Sequence, residues 1–129
     1  MPPIEQLQRL PLIQLERLER QGIFTTGLLL EVSETPTRRI YLADQIGATT
    51  NDVNEWRDEA LLLNLASFGP EEQALFTQAG IVGLSDLLGL ELDELERRLV
   101  TAASELGTEP PDDQRIAGWW EQAKTLEEE

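Results

Sequence analysis

The chain has 129 residues, with 10 basic and 25 acidic side chains, a formal charge of −15, and neither Cys nor His. This composition excludes disulfides, thiol chemistry, zinc or haem ligation through those side chains, and an imidazole acid/base group. The sign of the charge also opposes phosphate backbones and anionic lipid heads.

The charge is uneven. Through Ala66 there are 6 basic and 10 acidic residues, and from Ser67 onward 4 and 15. Either the charge serves solubility alone or it faces a basic protein partner. Hydrophobic residues make up 40% and aromatics 5%. The core must therefore be mostly Leu, Ile, Val and Ala, with Trp56, Trp119, Trp120, Phe24, Phe68 and Phe76 as its large anchors. Met1 to Leu10 lacks a basic stretch followed by an apolar run, and no segment reads as a membrane span. The expected location is cytoplasmic.

In chain order, Pro11 opens a helix running to Gln21, with Leu12, Leu15 and Leu18 as its apolar stripe and Gly22 as a left-handed stop. A short helical turn covers Gly27 to Val32. Pro36, preceded by Ser33 and Thr35 as caps, opens a helix carrying Ile40, Ala43 and Ile46, which Gly47 ends. Thr49 or Thr50 caps a longer helix through Val53, Trp56, Ala60 and Leu63. Gly69-Pro70 starts a helix to Ala79 that Gly80 stops, and Ser85 caps a turn through Leu88. Leu92, Leu95, Leu99, Ala102, Ala103 and Leu106 form a helical stripe ended by Gly107. After the loop Glu109-Pro110-Pro111-Asp112-Asp113, the last helix places Ile116, Trp119, Ala123 and Leu126 on one face. Glu127-Glu128-Glu129 reads as a frayed, solvated end. Nothing alternates with the period of a strand, so the fold class is all-α.

Landmarks recur in one order. Gly22-Ile23 is answered by Gly80-Ile81, Leu29-Leu30 by Leu87-Leu88, Ile46-Gly47 by Leu106-Gly107, and Val53-x-x-Trp56 by Ile116-x-x-Trp119. The pattern argues for internal duplication. The expected architecture is two tandem helix-hairpin-helix-like units, residues 1–64 and 65–129, packed as one compact helical domain.

Leu65-x-x-Phe68-Gly69-Pro70-Glu71-Glu72-Gln73-Ala74, followed by Gln78-Ala79-Gly80-Ile81, has the layout of a helix-hairpin-helix unit. With Leu87-Leu88, the Arg38-Arg39 and Leu42-Ala43 helix and the Trp56 helix, the chain resembles a bacterial family, domain of unknown function 4332, built from tandem repeats of that kind. The resemblance implies the fold and leaves function open. Relatives of the helix-hairpin-helix class often bind DNA through amides at a glycine turn. Here the turn has one glycine, Pro70 has no N–H, and Glu71 and Glu72 occupy the first helical turn, so direct nucleic-acid contact is disfavoured.

The expected function is a non-catalytic protein-interaction or assembly module that presents an acidic helical face to a basic protein. The alternative is a nucleic-acid-associated protein, by hairpin contact or by mimicry of DNA charge. Trp120, Glu71, Glu72, Asp112 and Asp113 are the candidate partner-binding residues. Trp119 matches Trp56 and belongs to the core. Trp120 has no counterpart and points about 100° away, either as a partner anchor or as part of a wide core face. Arg38-Arg39 and Arg97-Arg98 are read as ordinary helical pairs, with Glu34 and with Asp93 or Glu94. Glu16 and Glu19 interrupt the Arg9, Arg17 and Arg20 cluster. No catalytic, cofactor or metal site is expected, since no Asp-x-Asp-x-Asp-Gly loop exists and paired carboxylates alone do not make a cleft.

Overall fold

The computed structural model describes residues 2–128, with side chains through Leu126. The expectation for Glu127-Glu128-Glu129 lies outside those side chains. The described residues form an all-helical fold of eight α-helices and a short 3-10 turn, Ile4–Gln6. No helix is long and apolar enough to cross a membrane. The chain divides into two compact units, Met1–Asn64 and Leu65–Glu129.

Unit 1 holds α1 (Leu12–Arg20), α2 (Thr26–Val32), α3 (Pro36–Ile46) and α4 (Thr50–Leu63). Thr35 and Thr49 cap α3 and α4 by accepting from the Arg38 and Asp52 N–H groups, and Asp52 returns the bond to Thr49. These bonds satisfy amide donors that have no partner inside the helix. α2 begins one residue before the expected turn because the Thr25 hydroxyl accepts from Leu28 N–H. The chain before α1 is tied down by Ile4 N–H to Phe24 O and Thr26 N–H to Pro2 O.

Unit 2 holds α5 (Pro70–Gln78), α6 (Leu84–Leu88), α7 (Leu92–Leu106) and α8 (Asp113–Glu128). The cap of α6 is Gly83 rather than Ser85, because Asp86 reaches back to the Val82 and Gly83 N–H groups. Asp112 accepts from Arg115 N–H at 2.8 Å and starts α8.

Four glycines stop helices in the same way. Gly22 and Gly80, at φ 82° and 83°, follow α1 and α5, and the next residues, Ile23 and Ile81, donate back to Leu18 O and Phe76 O. Gly47 and Gly107, at φ 69° and 71°, follow α3 and α7, with Ala48 and Thr108 donating to Ala43 O and Ala103 O. A left-handed residue after the helix lets the chain close its last carbonyls. At Gly47 an added Cβ would also stand 2.7 Å from Arg17 Nη1, which itself donates to Ile46 O at 2.7 Å. Gly107 has open space. Gly107→Ala is expected to cost about 1 kcal/mol from backbone strain. Gly47→Ala should cost about 1 kcal/mol more through the displaced Arg17 bond, a difference that paired urea titrations resolve.

The cores follow the last helix of each unit. Val53, Trp56, Ala60 and Leu63 are buried along α4, and Ile116, Trp119 and Ala123 along α8. Phe68, Phe76 and Trp119 pack edge to face with centroids 4.9, 5.9 and 5.3 Å apart. Several expected core residues are instead at the surface. Leu12, Ile40, Leu106 and Phe24 are all exposed, and Leu42 takes the buried place on α3 expected of Ile40. Leu12 and Leu106 stand at the ends of their helices and Phe24 in the loop before α2, whereas Ile40 is mid-helix on the side of α3 away from Leu42, Ala43 and Ile46.

Candidate partner-binding surface

The first turn of α5 and the loop before α8 form one acidic groove in unit 2. Gly69 and Pro70 set the entry of α5, which places Glu71 and Glu72 in its first turn, where carboxylates suit the helix dipole. Glu72 Oε1 accepts from Gly69 N–H at 2.8 Å, while Oε2 lies 3.6 Å from Arg115 Nη2. The Arg115 guanidinium in turn stands 4.9 Å over the Trp119 ring. Leu75, Leu106, Pro110 and Pro111 line the groove with Glu71, Glu72, Glu109 and Arg115, around a volume of about 610 Å³. Asp112 and Asp113, both exposed, follow Pro111 directly.

The structure thus brings Glu71 and Glu72 to one groove and sets Asp112 and Asp113 at the end of the loop that walls it. Glu72 and Asp112 hold helix starts, which leaves Glu71, Glu109 and Asp113 as the unbridged carboxylates of the neighbourhood in the hydrogen bonds and ion pairs described. Glu109 was not singled out from the sequence, although its place beside the two prolines carries the signal.

Trp120 does not line that groove. Its ring is half-buried, its indole N–H donates to Leu90 O at 3.1 Å, and Lys124 Nζ stands 4.4 Å from the ring centroid. The residue that follows Trp56 on α4, as Trp120 follows Trp119 on α8, is an arginine. Arg57, one residue after Trp56, donates to Leu30 O at 3.0 Å and to the Ser33 hydroxyl at 2.8 Å. Each side chain ties the last helix of its unit to the end of the second helix. Burial, and next the charge of Arg39, lower the Arg57 pKa, with Glu34 opposing them.

Several backbone amides near the first helix of each unit have partners inside the chain, among them the Gly69 N–H at the start of α5, which Glu72 holds. Gln8 and Arg9 N–H donate to the two oxygens of Glu59, at 2.5 and 3.0 Å. Ala66 N–H donates to Gln122 Oε1 at 2.9 Å, and Trp119 Nε1 donates to Ala66 O at 2.9 Å. Glu59 is fully buried, and burial raises its pKa against the opposing pull of the Gln8 and Arg9 amides and the Arg9 charge. Three arginines are likewise engaged. Arg38 lies 4.0 Å from Glu34, Arg98 3.1 Å from Glu94 and Arg9 3.1 Å from Asp58. Among the described residues, no group of three Asp or Glu side chains is arranged to hold a metal ion.

Fold and surface define an all-helical protein with an acidic, proline-walled groove in its second unit. A family model described as Domain of unknown function (DUF4332) matches residues 13–126, and the chain belongs to that family. No curated protein and no solved structure matches it.

Proposed function

We propose that the protein is a non-catalytic, cytoplasmic interaction module whose acidic groove in unit 2 receives a basic segment of a partner protein. The observation that carries this reading is the pairing of an apolar floor with carboxylates at one place. A lysine or arginine of the partner would lay its aliphatic stem along Leu75, Pro110 and Pro111 and meet Glu71 and Glu109 with its charge. The −11 of residues 67–129 would steer such a partner from a distance.

We further read the two units as copies of one helix-hairpin-helix-like plan. The recurring glycine stops and the Glu59 and Gln122 bonds to the chain before the first helix of each unit support this. Amides already filled by carboxylates and an amide oxygen weigh against direct phosphate contact. A DNA-binding protein, met by charge mimicry, is one kind of basic partner consistent with the groove.

Capture of proteins by the tagged chain, followed by mass spectrometry, should return a basic protein whose retention falls as salt rises. Glu71→Lys with Glu109→Lys should abolish that retention while leaving the fold intact, since both side chains are exposed. A tight, salt-sensitive shift of duplex DNA by the chain at low ionic strength would overturn the reading.

A further inference from the structure

We propose that a face of unit 1, built around Tyr41, is a self-association surface that binds the same face of a second copy of this chain. Tyr41 is 68% exposed on α3, and Val32 and Leu28, one turn apart on α2, are each more than a third exposed. Beside Tyr41 lies a groove of about 380 Å³ floored by Ile23 and Leu42, with Val32 on its wall. The face therefore carries a knob and a hole side by side. An isologous contact needs this arrangement, because the ring of each copy can enter the groove of the other about a two-fold axis.

The rim is complementary to itself. Arg38 lines the groove, and Glu34 stands 4.0 Å from it, both exposed. Across a two-fold axis each Arg38 can meet the Glu34 of the other copy without further charge. No carboxylate lines this groove, so nothing there selects a strongly basic partner, and the single arginine is matched within the face.

The corresponding groove of unit 2 serves as an internal comparison. Counting by the spacing of Gly47 and Gly107, Thr101 stands where Tyr41 does, Arg97 for Thr37 and Glu105 for Gln45, and all three line a groove of about 440 Å³. Counting by Gly22 and Gly80, Asp86 replaces Leu28. The same place in the fold is thus furnished as ordinary charged surface in one unit and as an aromatic knob with an apolar hole in the other. Unit 1 also carries the smaller charge, 6 basic against 10 acidic residues, so contact through it costs the least like-charge repulsion.

The inference is independent of the groove in unit 2, and its salt dependence has the opposite sign. Sedimentation equilibrium of the full chain should give a reversible monomer–dimer equilibrium that tightens between ~50 and ~500 mM NaCl, as screening relieves the repulsion between copies. Tyr41→Glu should weaken dimerisation by roughly tenfold or more, and Thr101→Glu should leave it unchanged. Circular dichroism would show that both variants keep their helices. A chain that stays monomeric at ~1 mM, a dimer that salt dissociates, or one that Tyr41→Glu leaves intact would overturn the proposal.

Discussion

Trp119→Ala is expected to lower the unfolding free energy by about 3–5 kcal/mol, as loss of a buried aromatic does when its cavity cannot collapse. Three effects add at this site. The ring is buried, it packs edge to face on both Phe68 and Phe76, and its N–H holds Ala66 O. Arg115 would also lose the ring it lies over. Trp120→Ala should cost only about 1–2 kcal/mol, the worth of one hydrogen bond and a half-buried ring. Denaturant midpoints at unchanged slope measure both. Equal losses would mean that Trp120 is as much a core residue as Trp119 and would end its candidacy as a partner anchor.

Glu59→Ala is expected to cost about 2–4 kcal/mol, since it leaves the Gln8 and Arg9 N–H groups without their acceptor. Glu59→Gln should be milder, for one oxygen remains, as Gln122 shows with Ala66. The pH dependence gives a second reading. Burial raises the Glu59 pKa from the ordinary 4.5, so its titration favours the folded state most fully below that value. That contribution is lost as pH rises through the raised folded-state pKa. The stability of the native chain minus that of Glu59→Gln should therefore shrink from pH 4 upward, the reverse of an ion-paired carboxylate. A difference that grows over this range would show that the amides and Arg9 outweigh burial.

The helix order could be read from residues whose physics is local. Glycine in the left-handed region, threonine before a helix and proline in its first turn act within a few residues, so Gly22, Gly47, Gly80, Gly107, Thr35, Thr49 and Pro36 mark boundaries without knowledge of the neighbours. Burial is decided by those neighbours. Leu12 and Ile40 satisfy a helical period yet face outward, and Phe24 is spent on its backbone carbonyl, which accepts from Ile4. Glu59 shows the same limit from the other side, because a mid-helix carboxylate reads as solvated until the chain before α1 is seen to end on it. One signal was present. Glu59 and Gln122 both stand three residues after the core tryptophan of their helix, on the face that is otherwise apolar.

In unit 2, Glu71 and Glu72 of the groove and the Asp112-Asp113 pair beyond its wall could be found by charge alone, whereas their distribution between capping and free roles could not. That division depends on Arg115 and Gly69, which lie far apart in the chain but meet the same carboxylate, that of Glu72. Trp120 was legible as an unusual aromatic, and its bond to Leu90 O was not, because the acceptor is a main-chain oxygen that no side-chain pattern announces.

The latch between α4 and the residues ahead of α1 is matched by the one between α8 and the residues ahead of α5. In each unit the stretch just before the first long helix therefore meets the last helix at a single side chain, which takes two main-chain amides at Glu59 and one at Gln122. Opening at either side of such a closure releases the other, so the early stretch and the last helix of a unit should lose their hydrogen-exchange protection together rather than one after the other.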